Sequence, residues 1–404
     1  MNFIGLFGLA LNLSISVAQM AAAMLLLWWA WRVYQNKDGV RWRATELDVP
    51  ILAFIAWALF TAVIRQSTGF RDALSSQSAF LLFFWASQAI DGSDTRRLLH
   101  WIGVGAVLAG LIGIVQVLSQ INFKPVEKIY TTPDFFQGWP RWLVHEMATV
   151  NDRAVGPRNH PLTYAESFIP GFFLLLGRLV RELKEARPSL RVIGFVSGGL
   201  AIIAGGVLVA QGRAVWLGLG AGLLVFSWGV GRKFFLKTIF FGSLALAIIV
   251  AVSPRIRGRL LSVTMISAGT EGDQHSKSMR YDLWREVAVG IRAYPIVGVG
   301  LEGARLNTMD PVMKEMRVWT ETHNMFLQFM LELGGIGMGL FLWILIVIGR
   351  MIWRAPPAWR PAFAGMFVAF LAAGMTESWP KDKEIGMLFW TMIGSLAFFS
   401  REKI

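Results

Sequence analysis

Apolar residues along this chain fall into runs of about 20, the length that carries an α-helix across a hydrocarbon core of roughly 30 Å, and the polar residues gather between the runs. The pattern predicts spans near 11–33, 47–64, 73–90, 98–119, 162–180, 192–211, 214–231, 234–253, 323–349, 361–376 and 386–400. Short alternating segments, the mark of a transmembrane β-barrel, do not occur. The expected fold is an all-α polytopic membrane protein of about eleven transmembrane helices, or twelve if residues 1–10 begin a broken first helix. The first run has no basic flank and no A-x-A-like cleavage site, so it reads as a retained helix. The expected divisions are N-terminal membrane helices (1–120), a first outer segment (121–161), central membrane helices (162–253), a long outer loop (254–322) and C-terminal membrane helices (323–404).

Composition agrees with the pattern. Of 404 residues 55% are apolar and 16% charged, against roughly 25% charged in a soluble domain. Charge placement then orients the bundle. One set of alternate connections holds Arg32, Arg43, Arg96, Arg97, Arg181, Lys184, Arg187, Arg232, Lys237, Arg354, Arg360 and Arg401 among its basic residues. In all that side carries nineteen of the 39 Lys and Arg and eight acids, a balance of +11. Short loops rich in Lys and Arg stay in the cytoplasm, so the C-terminus is expected inside and, with eleven spans, the N-terminus outside. The formal charge of +13 is thereby explained by membrane-flanking loops, which argues against nucleic-acid binding. Without cysteine there are neither disulfides nor thiolate metal sites.

The two long outer segments carry the remaining signals. Phe135, Phe136, Trp139 and Trp142, with Pro133 and Pro140, suit an interfacial aromatic belt better than a sugar-stacking platform. From Ser278 to Ala293, Met279, Leu283, Val287 and Ile291 recur every four residues and predict an amphipathic helix, which Tyr294-Pro295 ends. Such a helix lies along the membrane surface as a lid on the bundle, and it would hold Arg280 and Trp284, four residues apart, on one strip.

Three features converge at the outer face. Gln211-Gly212-Arg213 forms a tight turn, and Arg213 opens an otherwise uncharged helix, where an arginine calls for an anionic partner or water. Arg280 is the second. Thr322-His323-Asn324 is the third, and histidine is the side chain suited to proton transfer near neutrality. Pro295-Ile296-Val297-Gly298-Val299-Gly300 allows close backbone approach but lacks the Lys-Ser/Thr of a phosphate loop. Glu271, Asp273 and His275 read as a solvated turn rather than a metal site. Glu166 and Glu332 lie just inside spans, where arginines are their expected partners.

The segment Gln211-Gly212-Arg213-Ala214-Val215-Trp216-Leu217-Gly218 resembles the O-antigen ligase and O-antigen polymerase family of bacterial envelope glycosyltransferases. So do Arg280-Tyr281-Asp282-Leu283-Trp284, Tyr294 to Gly300, Thr322 to Gln328, and Glu332-Leu333-Gly334-Gly335-Ile336-Gly337. An upstream piece, Arg153 to Tyr164, is similar to the family's Gly-x-x-x-His-Pro element. The resemblance implies a membrane fold of the C-type glycosyltransferase class in the bacterial inner membrane, with a cavity open to the periplasm. It implies a glycan on undecaprenyl diphosphate as donor, and Arg213, Arg280 and His323 as functional residues. Arg213 and Arg280 would bind the diphosphate bidentately, without metal or nucleotide cofactor, and His323 would take the acceptor's proton. Arg158, His160, Trp284 and Asn324 are expected to support the site. As a ligase the enzyme would transfer to the lipid A-core of lipopolysaccharide. As a polymerase it would transfer to another lipid-linked glycan, and a protein O-oligosaccharyltransferase is a third variant. The long, basic second outer segment favours the ligase. A transporter for a lipid-linked anion would place its charges at the bilayer midplane, whereas here they sit near the outer ends of spans.

Overall fold

In apolar surroundings every backbone N–H and C=O must be satisfied within the chain, and the apolar runs meet that requirement as helices. The computed structural model describes residues 3–35, 43–118, 122, 123, 149, 150, 153–158, 160–252, 257, 283–303 and 321–401. The helices in chain order are α1 (Phe3–Leu13), α2 (Ile15–Tyr34), α3 (Asp48–Arg65), α4 (Phe70–Ser76), α5 (Phe80–Gln88), α6 (Gly92–Leu118) and α7 (Pro161–Leu183). They continue with α8 (Leu190–Ala210), α9 (Arg213–Val230), α10 (Arg232–Val252), α11 (283–293), α12 (Met325–Arg354), α13 (Arg360–Gly374) and α14 (Lys383–Arg401). Three two-residue strands, Asn122–Phe123, Thr149–Val150 and Arg153–Ala154, pair in that order beside α7. Six of the described helices, α3, α6, α8, α9, α10 and α12, are long and apolar enough to cross a membrane.

The chain therefore has the all-helical character of a polytopic membrane protein, but its helices depart from the expected spans in several places. The run 11–33 is largely α2, and the residues before it form the separate helix α1, as in the broken-first-helix alternative. The two meet at Ser14, whose backbone is extended (φ −159°) and whose hydroxyl accepts from Val17 N at 3.4 Å. Phe7 packs edge-on against Trp85, and farther along α1 the Leu11 carbonyl accepts from Arg158. Gly8 faces Leu98, whereas Asn12 donates to the Ile102 carbonyl at 3.2 Å. Helix α1 thus runs parallel to α6, and the start of the chain lies at the end where α6 begins, not at the opposite end. Hydropathy alone does not reveal such a reversal, because both helices are apolar. The run 73–90 is likewise divided into α4 and α5. There Ser76 and Ser78 hydroxyls donate to the Ala73 and Ser75 carbonyls, both at 2.7 Å, competing with helix continuation.

Helix α14 occupies the interior. Every residue from Ile385 to Phe399 is buried, as expected of a helix apolar on all sides. The Lys/Arg-rich connections gather at one end of the bundle. Arg401 donates to the Arg43 carbonyl at 2.6 Å and also to Ser87 O, Arg181 donates to Ala358 O at 2.9 Å, and Arg354 pairs with Glu46. The helices α7, α9, α12 and α14 begin at the other end.

The long helix α12 breaks at Gly334 (φ 66°, ψ −169°). Around the break, Val299 N donates to Leu331 O and Gly300 N to Glu332 O, each at 2.9 Å. In return Gly335 N donates to Pro295 O at 2.8 Å and Ile336 N to Ile296 O at 3.3 Å. The Leu333 carbonyl accepts from the Trp57 indole at 2.9 Å. The glycine-containing motif of residues 295–300 is therefore a backbone partner for a broken helix. Its outer neighbour α11 docks by the expected stripe: Leu283 and Val287 bury against Val299 and Leu331, with Trp284 and Ile291 packed alongside. Met279 and Arg280, the aromatic cluster of residues 135–142, and Glu271, Asp273 and His275 lie outside the described residues.

A methyl group at Gly334 would collide with the Ile296 carbonyl, and L-residues rarely adopt its φ. Gly334→Ala is expected to destabilise the protein by roughly 1–3 kcal/mol. Gly339→Ala, on the same helix with open space around it, should be neutral or stabilising, since alanine suits a helix interior better than glycine. Thermal unfolding of both variants in detergent checks the contrast.

Candidate active site

Four helix starts meet at the end opposite the basic loops. The N-caps of α7, α9 and α12 are His160, Gly212 and Asn324. Asp382 precedes α14, and its Oδ1 accepts from Glu384 N at 2.9 Å. Direct contacts join these starts. Thr163 of α7 donates its hydroxyl to Asp382 Oδ2 at 2.6 Å, and Gly212 lies against Ala165 and Leu162 of α7. Arg158 forms an ion pair with Glu384. Asn324 Nδ2 donates to the Met375 carbonyl at 2.9 Å, linking α12 to the loop between α13 and α14. Aligned peptide dipoles give each helix start a partial positive charge, and the start of α9 at Gly212 carries no side-chain cap, which suits an anion.

His323 sits immediately before α12 in a left-handed backbone conformation (φ 50°), a region that non-glycine residues occupy only when their surroundings hold them there. The surroundings are specific. Thr322 is buried; its N–H donates to Gln328 Oε1 at 2.8 Å and its hydroxyl to the Asn324 carbonyl at 2.8 Å. The Trp284 indole donates to the Thr322 carbonyl at 2.9 Å, so α11 braces this turn. Asn324 Oδ1 accepts from Phe326 N and Leu327 N at 2.9 and 3.1 Å, capping α12. The imidazole is thereby held at the surface of the cluster, with Nδ1 3.2 Å from Glu377 Oε2.

Arg213 is the first residue of α9. The preceding Gln211 is also left-handed (φ 54°) and ends α8, and Arg153 Nε donates to the last α8 carbonyl, Ala210 O, at 3.0 Å. The two motifs singled out at the outer face, at Gln211-Gly212-Arg213 and at Thr322-His323-Asn324, are thus both tight, left-handed approaches to a helix start.

The supporting residues divide by role. Trp284 and Asn324 hold the His323 turn. Arg158 is buried, and besides Glu384 it donates to the Leu11 carbonyl, so it ties α1, α7 and α14 together. His160 caps α7, its Nδ1 accepting from Leu162 N at 3.3 Å. Of the two buried acids, Glu332 Oε1 accepts from Gln328 Nε2 at 2.8 Å, and Glu166 Oε1 has no hydrogen-bond partner among the described residues. Glu377 and Asp382 were not foreseen from the sequence. Their signal was two acids within six residues of a short loop between α13 and α14, and only folding brings that loop against the start of α12.

Withdrawal of the His160 ring from water lowers its pKa below the usual value of 6.5. Arg153 and His323 add to that effect, while Glu377 and Asp382 oppose it. The unfolded chain therefore takes up this proton at higher pH than the folded one. The stabilisation is complete above about pH 6.5 and is lost as the pH falls through the lower folded value. His160→Asn keeps a capping acceptor and removes the titration. Its melting temperature is expected to fall less than the wild type's between about pH 7 and pH 5, measured by thermal unfolding in detergent.

Residues 198–342 match the family model described as O-antigen ligase. That segment runs from α8 through the broken α12, and it contains Arg213, Trp284, His323 and Asn324. No curated protein matches the chain. Proteins of this family are glycosyltransferase-type enzymes of envelope polysaccharide synthesis that act on lipid-linked glycans. Over residues 198–342 the chain is therefore similar to the O-antigen ligase family.

Proposed function

We propose that this protein is an O-antigen ligase of the bacterial inner membrane, transferring a glycan from undecaprenyl diphosphate to a lipid A-core hydroxyl at the periplasmic face. The observation that carries the proposal is the meeting of four helix starts around the Arg213 and His323 turns. In the proposed reaction the acceptor oxygen attacks the anomeric carbon from the side opposite the diphosphate. The bond from that carbon to the phosphate oxygen breaks, its electron pair leaves with undecaprenyl diphosphate, and the anomeric centre inverts. The hydroxyl proton passes to Nε2 of His323. Arg213, Arg280 and the helix starts hold the negative charge that grows on the leaving group. Arginine suits this role because its planar fork binds two phosphate oxygens at once.

The test is transfer in vitro with purified protein, a synthetic undecaprenyl-diphosphate glycan and a lipid A-core acceptor, in the presence of EDTA. Transfer is expected. His323→Ala should lower kcat on the order of 10²- to 10⁴-fold, the usual contribution of a general base. Arg213→Lys should also lose activity, because it keeps the charge but not the bidentate fork. Transfer to a second lipid-linked glycan in place of lipid A-core would identify a polymerase. No transfer to either acceptor would overturn the proposal, and a strict metal requirement would overturn its leaving-group chemistry.

A further inference from the structure

We infer that Glu377 is the positioning residue for His323, fixing which imidazole nitrogen carries the hydrogen. The inference rests on the transferase proposal for the chemistry it serves, but its geometry stands by itself. An ionised carboxylate only accepts hydrogen bonds, so a neutral His323 facing Glu377 Oε2 at 3.2 Å must carry its hydrogen on Nδ1. Its Nε2 lone pair then points away from Glu377. Burial agrees with this division of the ring. The Glu377 side chain is 10% exposed and the His323 side chain 37%, so the carboxylate is covered by protein while the imidazole is partly exposed.

Both partners are held by the surrounding fold, and Asn324 is an anchor that they share. His323 is held by the Thr322 bonds and the Asn324 cap. Glu377 lies in a loop clamped at both ends: Asn324 holds the Met375 carbonyl, and Asp382 binds Thr163 and the first N–H groups of α14. Between them the Trp379 indole donates to Phe370 O at 2.9 Å. The separation is therefore set by α7, α12, α13 and α14 together rather than by two flexible side chains. His160, Arg153, Asp382 and the buried Glu166 are other titratable groups of this cluster, with Glu321 adjacent in the chain. The Glu377 carboxylate is paired with the His323 ring. As His323 gains the acceptor's proton, the same carboxylate faces the new positive charge and stabilises it. The arrangement is one in which a base is oriented by a third group.

A loop-fixing role would be served equally well by glutamine, which has the same shape, so Glu377→Gln separates positioning from structure. Its amide can donate to Nδ1 and so moves the hydrogen to Nε2, where it blocks the base. The chain has five histidines, so ¹⁵N-histidine labelling of the full-length protein in nanodiscs, with His323→Ala to assign the signals, reads the tautomer directly. In the wild type the Nδ1–H form is expected. E377Q should shift His323 toward the Nε2–H form and lower kcat by about 10- to 100-fold, within the range of general-base effects, with KM little changed. E377D should retain the tautomer and part of the rate. A wild-type tautomer and kcat in E377Q would overturn the inference. If E377Q does not fold, E377D against His323→Ala decides it, and E377D losing the Nδ1–H form with full kcat overturns the inference. Absence of transfer by the wild type would instead count against the transferase proposal, while the tautomer still judges the Glu377–His323 pairing.

Discussion

Where α12 breaks at Gly334, the carbonyls of Leu331 and Glu332 lose the donors a continuous helix would give them, and apolar surroundings supply no water in exchange. The chain meets this constraint with its own backbone. Residues 295–300 lie alongside the break and exchange four hydrogen bonds with residues 331–336, while the Trp57 indole takes the carbonyl of Leu333. Both segments need glycine here, because a Cβ at Gly298 or Gly334 would drive into the opposing backbone. Much else is placed by this pairing. It anchors the end of α11, and α11 carries Trp284 to the Thr322 carbonyl, and that bond braces the His323 turn.

The site inherits its electrostatics from the same geometry. Helices that begin at one end of a bundle direct the positive ends of their peptide dipoles there, and four of them do so around a cluster that also contains Glu377, Asp382 and His160. The balance is mixed rather than simply cationic. The helix starts and Arg213 suit a diphosphate, whereas the carboxylates suit the handling of a proton and the fixing of an imidazole. Arg158 shows how an arginine near such a site can serve the scaffold. It is buried against Glu384 and the Leu11 carbonyl, where removing either partner would strand a charge in a low dielectric.

Several features were readable along the chain because they depend on neighbours in sequence. The apolar runs give helices at each expected place. The four-residue stripe of α11 gives the face that Leu283 and Val287 bury. The order of the motifs from Gln211 to Gly337 agrees with the family domain over residues 198–342. Local patterns also marked Gly298 and Gly300 as points of close backbone approach, and Gly334 as part of a family motif. They did not say that these glycines face one another.

What lay beyond the sequence depends on contacts between residues far apart. The reversal at Ser14, which puts the start of the chain at the end where α6 begins, follows from α1 packing on α6 and α5 and not from its hydropathy. The pairing of His323 with Glu377 joins residues separated by 54 positions, and no periodicity records such a meeting. The sequence by itself determined that this is a helical membrane chain with Arg213 and His323 at the starts of their helices, since hydropathy and motif order are local properties. Only the tertiary structure decided which carboxylate meets the histidine and which arginine is consumed by the scaffold. Those outcomes depend on helix crossings that satisfy backbone and side-chain polar groups together.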